Sequence, residues 1–169
     1  RTLSGEKRGS LLWLIDQTRT GMGGRLLRRR VNYPLNDVAR IRRRLDQVEL
    51  FFRDAGLRTR VLDTLSLIGD IERLAARVGM RAATPRDLGA LSSSLKVLPD
   101  LDEILAGSPA PDSTEILGGP MDTAEDLSQA LEAALVPDPP ANCREGGVFR
   151  EGFNETLDDL AQTVRNAKD

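Results

Sequence analysis

A chain of 169 residues is long enough for one domain with a sizeable core, folding burying on the order of 70% of the surface that the unfolded chain exposes. Its 40% hydrophobic and 30% charged residues are ordinary for a globular protein, whereas 4% aromatics with abundant Leu, Ala and Arg point to helices rather than sheets, so an all-α fold is expected. Cys143 is the only cysteine, which excludes an internal disulfide, and the lack of histidine closes off the usual zinc sites and histidine-based catalysis.

Charge is unevenly spread. Residues 1–60 carry 15 Lys and Arg against 6 Asp and Glu, net +9, and residues 61–169 carry 9 against 20, net −11. Attraction between the two halves is the preferred reading over a nucleic-acid patch, because a pI of about 5.4 lacks the usual basic footprint of a nucleic-acid binder. The lone thiol fits a reducing, cytoplasmic setting. No apolar run approaches the roughly 20 residues needed to span a bilayer, so no membrane partner is expected. The start, RTLSGEKRGS, has neither a signal-peptide apolar region nor an initiator Met, as expected of a fragment.

The first predicted helix covers about 22–32, with Leu26, Leu27 and Val31 flanked by Arg25, Arg28, Arg29 and Arg30. A second covers 36–54, with Asn36 as N-cap after the breaker Pro34 and a stripe of Val38, Ile41, Leu45, Val48 and Phe52 at steps of three and four. Arg40, Arg42, Arg43 and Arg44 fall off that stripe. Consecutive helical residues stand about 100° apart, so these arginines fan out instead of forming one patch. Asp70 is placed to cap a helix on Ile71, Leu74, Ala75 and Val78 that Gly79 closes. Thr84, Pro85 and Asp87 form a capping-box pattern ahead of Leu88, Leu91, Leu95 and Leu98. Pro99 breaks or restarts that helix, and Leu101, Ile104 and Leu105 continue it. Asp122 with Glu125 opens a helix on Leu127, Leu131, Ala134 and Leu135. Residues 106–120 and 136–152 read as loops, the second with Gly146, Gly147 and Gly152 suited to a turn or a short extended pair. A last helix starts near Asn154, carries Leu157, Leu160, Ala161 and Val164, and reaches Asp169 without a stop signal.

Catalytic chemistry is scarce along this chain. Asp158 and Asp159 diverge on a helix and cannot form a carboxylate dyad. GMGG at 21–24 has Leu26 where a dinucleotide fingerprint needs its third glycine, and follows no strand, so close helix packing or a cap is the expected use of Gly21, Gly23 and Gly24. GEKRGS at 5–10 lacks the Gly-Lys-Ser/Thr order of a P-loop. Cys143 has no histidine to activate it and reads as an inert thiol. No catalytic, cofactor-binding or metal-binding residue is assigned, and no cofactor is expected in this segment.

Five stretches carry a resemblance: LLWLIDQTRTGMGGRLLRRRVNYPLND (11–37), RRRLDQVELF (42–51), GDIERLAARV (69–78), PRDLGALSSSLKVLPDL (85–101) and CREGGVFREGFNETLDDL (143–160). In this order, and over nearly the whole chain, they resemble the core or lever domain of MutS-type DNA mismatch-repair proteins. The chain departs from the family at Phe153, where an aromatic hydroxyl is commoner, and in its long Pro-rich loops.

The resemblance implies a single core-domain fragment over 1–169, with a multi-helical orthogonal or bundle-like core at about 10–135, a loop at 136–152 containing a short extended turn near 143–152, and the start of a truncated lever helix at 153–169. In such proteins an N-terminal domain reads the mismatch with a Phe-x-Glu motif, and a C-terminal ATPase holds ATP and Mg on a P-loop. The core joins them to a clamp on DNA. The full-length protein is implied to be a homodimer, cytoplasmic, and nucleoid-associated if bacterial. Phe153, Asn154 and Glu155 spell Phe-x-Glu inside the lever match, where a mismatch-reading role is not expected. The function so implied is a non-catalytic connector that relays conformational state; the alternative is a free-standing helical interaction module binding nucleic acid weakly through its basic N-terminal third.

Overall fold

The computed structural model describes residues 8–108 and 117–166. In chain order its described helices are α1 (Leu11–Ile15), α2 (Gly21–Asn32), α3 (Val38–Arg53), α4 (Ala55–Ser66), α5 (Ile71–Gly79), α6 (Pro85–Leu95), α7 (Leu98–Ala106), α8 (Glu125–Ala134) and α9 (Glu155–Asn166), with a 3-10 turn at Cys143–Glu145. The fold is all-α, and among the described residues extended pairing is limited to one isolated antiparallel bridge, Leu135 to Phe149. No helix among these residues is long and apolar enough to cross a membrane. The chain divides into two compact units, Arg1–Asp70 with Val97–Thr123, and Ile71–Lys96 with Ala124–Asp169.

In the first unit each helix start has a local cause. The hydroxyl of Ser10 accepts from the Trp13 N–H at the start of α1, a helix the sequence reading passes over. Thr20 does the same for Gly23 at α2, at 3.0 Å. For α3 the cap is Asp37 and not Asn36: its carboxylate accepts from the Arg40 N–H at 2.8 Å, and a charged cap also meets the positive end of the helix dipole. Asp54 then both ends α3, its N–H bonding the Leu50 carbonyl, and opens α4, its carboxylate accepting from Leu57 at 2.7 Å. α4 is likewise absent from the expected helices. It packs on α3 and, most extensively, on α7, and the buried residues of this unit are Leu50, Leu57, Val61, Ile68 and Leu101. Leu57 is fully enclosed, and burial of such a side chain contributes roughly 1.5–3 kcal/mol. Pro99 restarts the chain as α7, lying in its first turn where no N–H is required.

The predicted inward face of α3 is overturned. Val38, Ile41, Leu45, Val48 and Phe52 lie on the outside, Leu45 at 60% and Phe52 at 80% exposure, while Leu50 is the buried residue of this helix. The 3-4 spacing is real, but α4 covers the flank carrying Leu50 instead of the stripe.

In the second unit α5 ends at Gly79, as expected, but the glycine is not the left-handed closing residue. The Met80 N–H still bonds the Ala76 carbonyl, and the turn closes with Arg81 to Val78 and Ala82 to Arg77, both 2.9 Å. This is a Schellman closure whose left-handed position is Arg81, at φ +55°. Asp70, which immediately precedes α5 in sequence, belongs to the first unit, where both its carboxylate oxygens accept from Arg25 of α2. The capping box of α6 forms as expected: Asp87 N–H donates to the Thr84 hydroxyl, and Thr84 N–H donates back to the Asp87 carboxylate at 2.8 Å. Leu91 and Leu95 of its stripe are buried, as is Leu74 of α5. α6 packs against α5 and α8. A Cβ on Gly89 would stand 3.0 Å from two ring carbons of Pro139, so the loop after α8 lies close on α6.

α8 opens at Glu125 and Asp122 is not its N-cap; Ala124, at φ +48°, is. That left-handed residue turns the chain sharply, and Glu125 and Asp126 then place their charges in the first turn. The extended pair is also redrawn. Its two sides are 134–136 and 148–150, joined by Val136 N–H to Val148 O at 3.1 Å and Arg150 N–H to Ala134 O at 2.9 Å, while part of the expected 143–152 turn is the 3-10 segment. Gly146, Gly147 and Gly152 all take positive φ there. Asn154 caps α9 by accepting from Leu157, where the sequence places it. Parts of the predicted 106–120 loop (109–116) and the end of the last helix (167–169) lie outside the described residues.

Candidate functional site

Two places gather unusual numbers of side-chain interactions, one in each unit. In the first unit, the DQTRTGMGG stretch is a turn held from within. Asp16 accepts from both the N–H and the hydroxyl of Thr18, the latter at 2.6 Å, and these bonds, with Arg28 nearby, hold its carboxyl below the usual aspartate value. A Cβ on Gly23 would stand 3.1 Å from Thr20 Oγ1, one on Gly24 3.3 Å from Thr18 Oγ1, and one on Gly21 2.9 Å from Asp70 Oδ2. The glycines therefore serve close packing, as expected. At this helix start Thr20 takes the Gly23 N–H, and the Asp70 carboxylate flanks Gly21. Residues 5–7 of GEKRGS lie outside the described part.

The eight arginines separate by role. Arg25 is committed to Asp70 in a bidentate pair, 2.7 Å at each nitrogen. Arg28, Arg29, Arg30, Arg40, Arg42 and Arg43 are exposed. Arg44 is half-buried, and burial together with Arg30 and Arg40 holds its guanidinium below the usual arginine value. Arg40 and Arg44, four apart, share one side of α3. An open groove of about 960 Å³ runs between α1 and α2, with Leu11, Trp13, Leu14 and Val31 on its apolar side and Asp16 and Arg28 among its polar lining.

In the second unit, side chains converge on the root of α9. Arg150 donates from Nε to the carbonyls of Glu132 and Leu135 at 2.8 and 2.7 Å, tying the segment before α9 to the last turn of α8. Phe149 and Phe153 stack with ring centroids 5.6 Å apart and planes 7° from parallel. Gly152 N–H donates to the Asp158 carboxylate at 2.8 Å, folding the turn back on the helix it precedes. Phe153 and Asn154 of the Phe-x-Glu pattern are thus a stacking partner and a helix cap, and Glu155 is the first residue of α9. Asp158 and Asp159 follow on the first turns, with Asp158 occupied by Gly152. Cys143 is exposed at the head of the 3-10 turn. Among the described residues no group of three or more acidic or cysteine side chains is placed to hold a metal ion.

Elsewhere in this unit, Lys96 pairs with Glu132 at 2.6 Å and holds its carboxyl down. Asp87 is held lower than an ordinary aspartate by the N–H and hydroxyl of Thr84, and further by Arg77 at 3.1 Å. Sequence reasoning found the capping box but missed Arg150 and the Phe149–Phe153 stack, whose partners lie across a loop and leave no periodic signal.

The family described as MutS domain III matches residues 1–168. The DNA mismatch repair protein MutS of Alkaliphilus oremlandii is 37% identical over 162 residues, 96% of this chain and 18% of that protein. Those of Exiguobacterium sp. and Brevibacillus brevis are each 42% identical, over 98% and 96% of this chain and 20% and 19% of their own lengths. The chain spans about a fifth of the length of these relatives. With the match running from the first residue almost to the last, the chain belongs to the MutS domain III family.

Proposed function

We propose that this chain is the connector of a MutS-type mismatch-repair ATPase, relaying conformational state between a DNA-holding end and an ATPase end through α9 as a lever. The observation that carries this reading is the clamped root of α9. A helix transmits displacement only if its base is fixed, and here the Phe149–Phe153 stack and the Gly152–Asp158 bond hold the preceding turn together and against α9, while Arg150 ties that turn to α8. The segment itself performs no catalysis; ATP and Mg belong to the ATPase part of the larger protein, and DNA, the neighbouring domains and a second subunit are its partners there. Action on chromosomal DNA places that protein in the cytoplasm, at the nucleoid if bacterial.

The test is Gln162→Pro in the complete gene product. Gln162 is exposed in the interior of α9, so proline removes one backbone hydrogen bond and clashes with the Asp158 carbonyl, at a cost of about 3 kcal/mol, without disturbing packing. Nucleotide binding should survive, while the mutual influence of ATP and mismatched DNA falls in both directions, as a coupling free energy must. Gln162→Ala should keep it. A folded proline variant with unchanged coupling would refute the lever. For the 169-residue chain alone, calorimetry should give no saturable ATP binding.

A further inference from the structure

The end of α8 leaves one main-chain acceptor without its helical donor. The N–H that would reach back to the Glu132 carbonyl belongs to Val136, and it goes instead to Val148 O at 3.1 Å. Arg150 fills the gap. Its Nε–H is shared between the Glu132 and Leu135 carbonyls at 2.8 and 2.7 Å, which ties the turn before α9 to α8. This arrangement has a competitor on the same residue: the Glu132 carboxylate is a charged acceptor, stronger for a guanidinium than a neutral carbonyl and able to take it by two nitrogens at once.

Lys96 settles the competition. It is the C-cap residue of α6, the helix that packs on α8, and its Nζ lies 2.6 Å from Glu132 Oε1. Two cations hold the Glu132 carboxyl below its usual value, Lys96 first and Arg150 second, and it is Lys96 that hydrogen-bonds it. Both side chains of the Lys96–Glu132 pair are about half exposed, so the pair adds little to stability. Its consequence is the acceptor that Arg150 is left with. Lys96 is also the residue after which the chain passes from the second unit to the first.

We propose that Lys96 is a positioning residue for the root of α9: by occupying the Glu132 carboxylate it keeps the Arg150 guanidinium on the carbonyls of Glu132 and Leu135. This rests on reading α9 as a lever, whose root is the fixed point.

The experiment is amide hydrogen exchange, read by mass spectrometry over residues 148–160 of the complete gene product. Lys96→Met removes the charge and keeps the bulk. The freed Glu132 carboxylate then draws Arg150 off the carbonyls, and exchange across this segment should rise several-fold, as it should in Arg150→Met. Glu132→Gln removes the competitor, so by itself it should leave exchange unchanged, and combined with Lys96→Met it should restore the original rate. An ion pair that merely braces α6 against α8 gives a different pattern, with Lys96→Met and Glu132→Gln equally fast and no restoration in the double variant. Either part of that pattern, or unchanged exchange in Lys96→Met or in Arg150→Met, would overturn the proposal; Lys96→Gln repeats the test should Lys96→Met fail to fold. Exchange in this segment does not depend on communication between ATP and DNA, so the role of Lys96 and the lever reading fail separately.

Discussion

Arg81 occupies a position that chemistry reserves for glycine, and moving a glycine there should stabilise the protein. At φ +55° an L-residue with a Cβ costs about 1–2 kcal/mol relative to right-handed backbone. Glycine removes that cost but brings roughly 0.5–1 kcal/mol of extra unfolded-state freedom. The Schellman bonds, Arg81 to Val78 and Ala82 to Arg77, involve only backbone and survive the change, and the Arg81 side chain is exposed and makes no core contact. Arg81→Gly is therefore expected to stabilise by about 0.5–1 kcal/mol net, or about 1–4 °C in Tm for a chain of this size. Gly79→Ala supplies the opposing test. Gly79 is the last helical residue, with nothing within 4 Å of a built Cβ, so alanine should also stabilise, by about 0.5–1 kcal/mol. Thermal and urea unfolding followed by circular dichroism would measure both. If instead Gly79→Ala destabilises and Arg81→Gly does nothing, the glycine is the left-handed closing residue, and the closure at Arg81 described above is wrong.

Acid should weaken the second unit through Asp87 and Glu132. Both carboxyls are held below their usual values by bonds made only in the folded chain, so the stability they contribute is present above the unfolded values near 4 and is lost as pH falls through the folded ones. Asp87→Asn should flatten that acid limb in pH-dependent urea titrations, and an unchanged limb would show that the Thr84 and Arg77 contacts do not set it. Gly21→Ala should loosen the Arg25–Asp70 pair, because the new methyl lies 2.9 Å from Asp70 Oδ2; a loss of about 1–2 kcal/mol in urea unfolding is expected, and none at all would mean the pair tolerates the shift. Duplex DNA should bind the 169-residue chain weakly, equally with and without a mismatch, and less as salt rises, since the exposed arginines offer phosphate contacts alone; tight mismatch-selective binding would refute that role.

Helix existence was legible wherever apolar spacing and a cap coincided, as at Thr84–Asp87 with Leu91 and Leu95, and at Asn154 with α9. The family was legible because five separated stretches occur in one order. Which side of a helix is covered was not. The α3 stripe states that a face wants cover, yet the cover on the Leu50 side comes from α4, whose own signal of Asp54 followed by Leu57, Val61 and Leu65 was available and passed over. Left-handed backbone at Arg81 and Ala124 leaves no trace in residue type, so the residue that closes the turn after α5 and the cap of α8 were not legible, although the last residue of α5, Gly79, was. The root of α9 was hidden for another reason: Arg150 and Phe149 act across a loop, where spacing carries no information.

Each compact unit is assembled from two separated stretches of chain, and this governs the timing of synthesis. α4 finds its main partner in α7, so Leu57 and Val61 leave the ribosome before Leu101 exists. At about 5–20 residues per second, the intervening roughly 40 residues leave that apolar pair uncovered for about 2–8 s on every nascent chain. α6 waits in the same way for α8. A ribosome stalled between these segments would hold out a surface that chaperones recognise, and slow codons between Val61 and Leu101 should lower the soluble yield of a protein whose finished sequence is unchanged.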